Sequence, residues 1–264
     1  MRDRSAVSVR AGLKLPDLMR GFCLAVAFIL AAVPLRAQYA SDTLRWVTPA
    51  VVTGAGIASH YLAHNAVEVP LRDFVQSDIR NGRSFHDIGS YVQYVPEAMH
   101  LSLGLAGCKA RVPFMDRLVE ASVAHLIALC LSRVPKHLLH SQRPDGRDNL
   151  SFPSGHATLA FTGAELVRMD YGNLWGAGAY AMSVYVCADR IYGNRHWLGD
   201  VLAGAGIGIF SARAGAWLLK PLKSWLGLPE FSWDGFGSKH FQLAVLPYTD
   251  PLSGAFGPSV SLSF

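Results

Sequence analysis

A succession of apolar segments, each close to or slightly shorter than a membrane helix, most constrains the fold of this chain. The segments are 46–67, 91–108, 114–137, 154–169, 173–188 and 200–219, and 173–188 contains no charged residue. In the third segment, residues such as Leu118, Ala121 and His125 recur at intervals of three or four, as on one face of a helix. Because a bilayer crossing requires about 20 residues, the pattern predicts an all-α bundle of about six helices, lying on, partly in or across a membrane.

The composition is consistent with this prediction and indicates which kinds of binding partner suit the chain. Charged residues make up 16% of the chain, hydrophobic residues 51%, and the mean hydropathy is +0.23. The net charge of +5 suits an anionic substrate or an anionic membrane surface, although a generally basic surface explains it equally well. No basic run or aromatic-interleaved patch indicates nucleic acid, and nothing indicates an obligate protein partner.

The two ends of the chain differ from its centre. Basic residues precede an apolar run over 21–33, followed by Pro34-Leu35-Arg36-Ala37-Gln38, which predicts a signal peptide or an N-terminal anchor over 1–37 and therefore export. Residues 38–228 are then the main domain. In the tail, 229–264, two alternating stretches separated by turn residues predict a short β-hairpin.

Three short segments carry the residues capable of chemistry, and the first contains two cations. Six residues separate Lys136 from Arg143, about two helical turns, so both cations can point the same way at the end of a helix. Cations at this position usually offset the helix dipole, and the pair alone is weak evidence of a site.

The second segment is Phe152-Pro153-Ser154-Gly155-His156 at the start of a predicted helix. Proline favours an extended approach to the helix, Ser154 can cap it, and Gly155 lets the backbone come close to a ligand. The free amides and the helix dipole then favour an anion, with His156 placed to protonate a leaving oxygen. An ordinary capped helix with an incidental histidine is equally compatible with this segment.

The third segment runs from Arg190 to Asp200. Five residues separate Arg190 from His196, and three separate His196 from Asp200. On a helical turn the second spacing places the carboxylate beside the imidazole, where it fixes the tautomer and leaves the other nitrogen able to attack. A solvated His–Asp pair is the simpler alternative.

Together and in this order, the three segments resemble the signature of the type 2 phosphatidic acid phosphatase (PAP2) superfamily, which is KxxxxxxRP, then PSGH, then SRxxxxxHxxxD. The matches extend over about a quarter of the chain. They are Lys136, Arg143, Pro144, Pro153, Ser154, Gly155, His156, Arg190, His196 and Asp200. The resemblance implies a helical bundle with phosphatase activity, similar to the lipid phosphatases of the bacterial envelope.

The resemblance also implies a role for each residue. His196 is the expected nucleophile that forms a phosphohistidine, Asp200 orients it, and His156 acts as general acid and then as general base. The phosphoryl oxygens are expected to be held by five residues: Lys136, Arg143, Arg190, Ser154 and Gly155. Since preorganised cations stabilise the transition state, no metal or other cofactor is expected.

One position departs from the family pattern. Asp189 stands where the family usually has serine. A carboxylate beside a phosphate site repels the ligand unless Arg190 or Arg195 pairs with it.

The resemblance leaves the reaction and the substrate open. Vanadium-dependent haloperoxidases share the superfamily's residues, and a non-enzymatic membrane protein is a second alternative, although the charges cluster at helix ends and loops rather than along a pathway. A membrane lipid phosphate is the favoured substrate: lipid A, undecaprenyl diphosphate, phosphatidylglycerophosphate or phosphatidate. A soluble periplasmic acid phosphatase is the runner-up. The expected location is the inner membrane of the bacterial envelope with a periplasm-facing site, or the periplasm.

Overall fold

The computed structural model describes residues 44–226 and the backbone of two strands, 242–249 and 256–263. The predicted signal peptide or anchor, 1–37, lies outside the described residues. The boundaries proposed for the domain 38–228 and the tail 229–264 remain predictions.

Helices make up most of residues 44–226, which confirms the all-α prediction. Six of them are at least 11 residues long and correspond to the six apolar segments, and two short helices lie between the first and second of these. In chain order the helices are α1 Leu44–Leu62, α2 Val69–Phe74, α3 Gly89–Val92, α4 Val95–Leu105, α5 Phe114–Leu139, α6 Gly155–Tyr171, α7 Asn173–Tyr192 and α8 Leu198–Leu226. Two π-helical segments, His64–Glu68 and Val75–Arg80, flank α2.

Helix α6 is the centre of the bundle. Phe161, Ala164 and Val167 on this helix are almost completely buried, and they form one core cluster with residues of α1, α7 and α8, among them Ile209. Burial of a large apolar side chain stabilises a fold by about 1.5–3 kcal/mol. The residues that begin and end α6 are therefore held in fixed positions.

Small residues over 204–208 bring α6 and α8 into close contact. A Cβ atom added at Gly204 would lie 2.5 Å from the Ser154 carbonyl oxygen, and one added at Gly208 would lie 2.5 Å from that of Thr158. Such distances are too short for any side chain. The close packing places the start of α8 directly beside the start of α6.

A network of buried charges crosses the bundle away from the sequence motifs. Glu165 accepts hydrogen bonds from Arg168 Nε at 2.6 Å, Arg213 Nε at 2.6 Å and Tyr180 Oη at 2.7 Å. The expectation that charges cluster at helix ends and loops is therefore wrong for Glu165 and Arg213, which lie inside the bundle. Each of these charges has a partner of opposite sign, as buried ions require.

Two helices of the described part are long and apolar enough to cross a membrane. They are Phe114–Leu139 and Leu198–Trp225. In the most apolar stretch of each helix, 28% of the first and 67% of the second is buried. Helix α5 exposes large apolar side chains, including Leu126, Leu129 and Leu138, the last 72% exposed. The surface of α5 is therefore less covered by the rest of the protein than that of α8, and it is better suited to an apolar environment.

The tail contains the predicted hairpin. Strand β1, Gln242–Thr249, pairs in antiparallel register with β2, Phe256–Ser263, so that Gln242 lies opposite Ser263 and Thr249 opposite Phe256.

Candidate active site

The three sequence segments meet at one end of the bundle. Lys136 lies near the end of α5, His156 in the first turn of α6, Arg190 near the end of α7 and Asp200 in the first turn of α8. The Ser154 amide donates to the Asp200 carbonyl at 2.9 Å, which ties the starts of α6 and α8 together. Ser154 is the N-cap of α6, as predicted, and its hydroxyl accepts from the Ala157 amide at 3.5 Å.

His196 and Asp200 form the contact that their spacing predicts. His196 lies two residues before α8, and its Nδ1 is 3.3 Å from Asp200 Oδ2. The same carboxylate oxygen accepts from the Trp197 amide at 2.8 Å and from the Ser151 hydroxyl. Because Asp200 engages Nδ1, the opposite ring nitrogen, Nε2, is the one that Asp200 does not hold.

The protonation of His196 is set by burial and by neighbouring cations. Its side chain is 2% exposed. Burial lowers its pKa, and the charges of Lys136 and Arg143 lower it further, against the opposing effect of Asp200. The lowered pKa favours the neutral form of the ring near pH 7.

His156 faces donors rather than acceptors. Its Nε2 is 3.1 Å from Ser90 Oγ and 3.3 Å from a terminal nitrogen of Arg190. Burial, followed by the charges of Arg190 and His196, lowers its pKa to about 3. A phosphate dianion bound among these cations would raise the pKa of His156, because an adjacent anion favours the protonated ring.

Arg190 is held by two carboxylates. One terminal nitrogen lies 2.5 Å from Asp189 Oδ2, and the same nitrogen donates to Asp87 Oδ1. Although burial opposes the change, hydrogen bonds from Arg190 and Ser90 lower the pKa of Asp87 to about 2. Asp189, the departure from the family pattern, is therefore paired with Arg190, whereas Arg195 lies 3.9 Å from Asp145.

The other two cations are placed differently from the expectation. Helix α5 ends at Leu139 and His140 adopts a left-handed conformation with φ of +46°, so Arg143 lies in the following loop and not on a continuation of the Lys136 helix. Arg143 Nε donates to Asp148 Oδ1 at 2.7 Å. Lys136 is 9% exposed, and its ammonium donates to the carbonyls of Leu150 at 2.7 Å and Ser151 at 3.3 Å.

Four polar residues of the site escaped prediction from the sequence. Asp87 and Ser90 contact Arg190 from about a hundred positions away, Ser151 supports Asp200, and His60 Nδ1 lies 3.4 Å from Asp200 Oδ1. None of them has a recognisable spacing to its partner. Ser151 adjoins the second motif, which is the single local signal for any of the four.

The arrangement defines a class of site: a carboxylate-oriented imidazole and a second imidazole at the start of a helix, surrounded by cations. Such an arrangement can bind a phosphate group and move a proton to or from it. Residues 117–224 match the family model of the PAP2 superfamily. The matched residues include all three motif segments.

Individual proteins show the same similarity. A lipid A 1-phosphatase of Porphyromonas gingivalis is 33% identical over 140 residues, which are 51% of this chain and 32% of that protein. The chain thus spans about a third of the length of the curated relative it matches.

Two solved structures are also similar. LpxE of Aquifex aeolicus is 20% identical and has a TM-score of 0.44, covering 57% of this chain and 95% of its own. A transmembrane PAP2 type phosphatidylglycerolphosphate phosphatase of Bacillus subtilis is 18% identical and has a TM-score of 0.36, covering 80% of this chain and 98% of its own.

Proposed function

We propose that this chain is a phosphatase that hydrolyses a phosphate ester through a phosphohistidine intermediate on His196. The observation that carries the proposal is the contact between His196 Nδ1 and Asp200 Oδ2 beside buried Lys136. In the first step His196 Nε2 attacks phosphorus, the ester P–O bond breaks, and His156 protonates the departing alkoxide. In the second, His156 removes a proton from water, which attacks the phosphohistidine and releases phosphate.

The cations act on the charge of the transition state. Lys136, Arg143 and Arg190, with the amides at the start of α6, hold the three phosphoryl oxygens as negative charge is redistributed. For Arg190 this requires exchanging part of its contact with Asp87 or Asp189 for the phosphate. The mechanism needs no metal, so we expect turnover to persist in excess chelator.

The proposed substrate is a membrane lipid phosphate, with the 1-phosphate of lipid A as the first candidate. The activity of the Porphyromonas gingivalis relative supports this substrate. The exposed apolar face of α5 supports it independently, because α5 ends beside Lys136. A lipid whose chains lie along this face brings its headgroup to the site at the end of the helix. An inner-membrane location with a periplasm-facing site belongs to the same proposal.

A substrate panel tests this proposal. Detergent-solubilised protein is assayed for phosphate release from lipid A, undecaprenyl diphosphate, phosphatidylglycerophosphate and phosphatidate in mixed micelles, and from p-nitrophenyl phosphate in solution. We expect kcat/KM for at least one lipid to exceed that for the soluble ester by about tenfold or more, since remote contacts contribute to transition-state binding. Equal or higher kcat/KM for the soluble ester would instead favour a soluble acid phosphatase. Halide oxidation on addition of vanadate would favour a haloperoxidase.

A further inference from the structure

A second cluster of ligand-type side chains lies behind the catalytic carboxylate. His60 is near the end of α1, and His64 and Glu68 are the first and last residues of the π-helical segment that follows. One nitrogen of each histidine and one oxygen of Glu68 all lie within 4.8 Å of one another. The four-residue spacing along the chain places the three on one face.

The distances within this cluster approach those around a tetrahedral metal ion. His64 Nδ1 is 2.7 Å and His60 Nδ1 is 3.6 Å from Glu68 Oε2. Ligands at the bond lengths usual for zinc lie about 3.3 Å from one another. The two observed separations lie on either side of that value, so small side-chain movements would bring both of them to it.

The outer contacts of the cluster hold its ligand atoms in place. Glu68 Oε1, the oxygen that does not face the histidines, accepts from the Ser59 hydroxyl at 3.0 Å and from the Gly199 amide at 2.6 Å. His60 Nε2 is 3.0 Å from the Ser141 hydroxyl. Such contacts orient the ligands of a metal site and fix the histidine tautomer.

His60 Nδ1 is the atom of the cluster whose surroundings most favour a bound cation. His60 has a side chain only 9% exposed, and its buried Nδ1 has no hydrogen-bond partner among the described residues. The nearest oxygens are Glu68 Oε2 at 3.6 Å and Asp200 Oδ1 at 3.4 Å, and the latter is also buried without a hydrogen bond. Leaving buried polar atoms unpaired costs about 1–3 kcal/mol each. A cation between them would satisfy both atoms.

We propose that His60, His64 and Glu68 bind a zinc-class divalent cation. Two imidazole nitrogens with one carboxylate oxygen form a ligand set suited to zinc, whereas magnesium and calcium prefer oxygen ligands. His64 is 35% exposed at its side chain, which gives the ion a route from solvent. The fourth position is open to water or to Asp200 Oδ1.

This site would regulate rather than perform the reaction. A cation held by His60 attracts the Asp200 carboxylate, which then supports His196 less effectively. Zinc is therefore expected to slow turnover. That consequence rests on the proposed phosphatase function, whereas zinc binding itself does not.

Zinc binding is tested on untagged, chelator-stripped full-length protein by isothermal titration with zinc chloride. His64→Gln is the test variant, because glutamine can still donate to Glu68 and preserve the fold but is a poor zinc ligand. His137→Gln is the matched control, since His137 lies on the exposed surface of α5. We expect one tight zinc per chain in the wild type and the control, and affinity at least about tenfold weaker in His64→Gln. Equal affinity in His64→Gln, or no zinc bound by the wild type, overturns the proposal.

Inhibition of phosphate release by zinc provides a second readout. The concentration that halves turnover is expected to rise at least about tenfold in His64→Gln but not in His137→Gln. An unchanged concentration would assign inhibition to the catalytic histidines and overturn the regulatory role. If the protein releases no phosphate, the phosphatase proposal fails while the titration still decides the zinc site.

Discussion

Two buried His–Asp pairs lie near opposite ends of α6, and their surroundings give them opposite properties. His196 Nδ1 is 3.3 Å from Asp200 Oδ2, beside the start of the helix. His100 Nε2 is 2.7 Å from Asp170 Oδ2, one residue before the helix ends. From His156 to Asp170 the helix rises about 21 Å. The two pairs are therefore separate sites.

The difference arises from the neighbouring charges. Glu97 Oε1 lies 3.4 Å from His100 Nδ1. Burial opposes protonation of His100, but the carboxylates of Asp170 and Glu97 raise its pKa to about 9. Around His196, Lys136 and Arg143 act with burial to lower the pKa. His100 is thus a charged member of a structural ion network, whereas His196 is a neutral imidazole among cations. Lys136 is buried and donates to backbone carbonyls, and within residues 44–226 it forms no ion pair with a carboxylate.

The largest expected effect is a difference in kcat between variants of His196 and of His100. We expect His196→Asn to reduce kcat at least about 10³-fold, because it removes the nucleophile, while His100→Asn changes kcat of the folded fraction less than about tenfold. Both variants are assayed in the same micelles, with folding checked by circular dichroism. Comparable losses of kcat in the two folded variants would contradict the proposed difference between His196 and His100.

A second comparison concerns the cations. Lys136→Met should lower kcat/KM about 10²-fold, as expected when one preorganised donor to the transition state is lost. Arg111 at the other site donates to Glu120 at 2.7 Å and Asp170 at 2.9 Å, so Arg111→Met should lower the melting temperature and leave kcat/KM nearly unchanged. Steady-state kinetics and thermal unfolding distinguish the two. A kcat/KM unaffected by Lys136→Met contradicts its assigned role.

Stability should depend on pH through His100. Its pKa is about 9 in the folded chain, against 6.5 as the ordinary value. Between these pH values the folded protein keeps a proton that the unfolded chain has released, so the stabilisation is complete below pH 6.5 and is lost as pH rises through 9. The loss is on the order of 3 kcal/mol. Melting temperatures from pH 6 to 9.5 should fall for the wild type more steeply than for His100→Gln, and parallel curves would refute the assignment.

The smallest effect is expected at Asp189. Asp189→Ser removes one of the two carboxylates that hold Arg190, which lowers the repulsion of a phosphate and leaves Arg190 to bind it. KM should fall about two- to fivefold with kcat nearly unchanged, the signature of stronger uniform binding. A higher KM would mean that Asp189 positions Arg190 for the substrate.

Local spacing in the sequence predicts the contacts between residues that are close along the chain. The N-cap at Ser154 and the contact of His196 with Asp200 depend on residues within four positions, and both are confirmed. The contacts that distinguish the two His–Asp pairs depend on packing: Asp87 reaches Arg190 across 103 positions, and His100 meets Asp170 across 70. The helical segment predicted over 114–137 does end before Arg143, but the expectation that two helical turns relate Lys136 to Arg143 is wrong, because His140 ends α5.

The central claim is that His196, and not His100, carries the phosphoryl group, and acid-labile phosphate on this residue tests it most directly. His156→Ala protein is mixed with p-nitrophenyl phosphate, whose good leaving group makes the first step less dependent on a general acid, and is quenched in alkali for peptide mass spectrometry. Because this variant lacks the base for hydrolysis, we predict that phosphate accumulates on His196 and is absent when His196→Asn is added. Phosphate on another residue, or p-nitrophenol released by the double variant at an undiminished rate, would contradict the account.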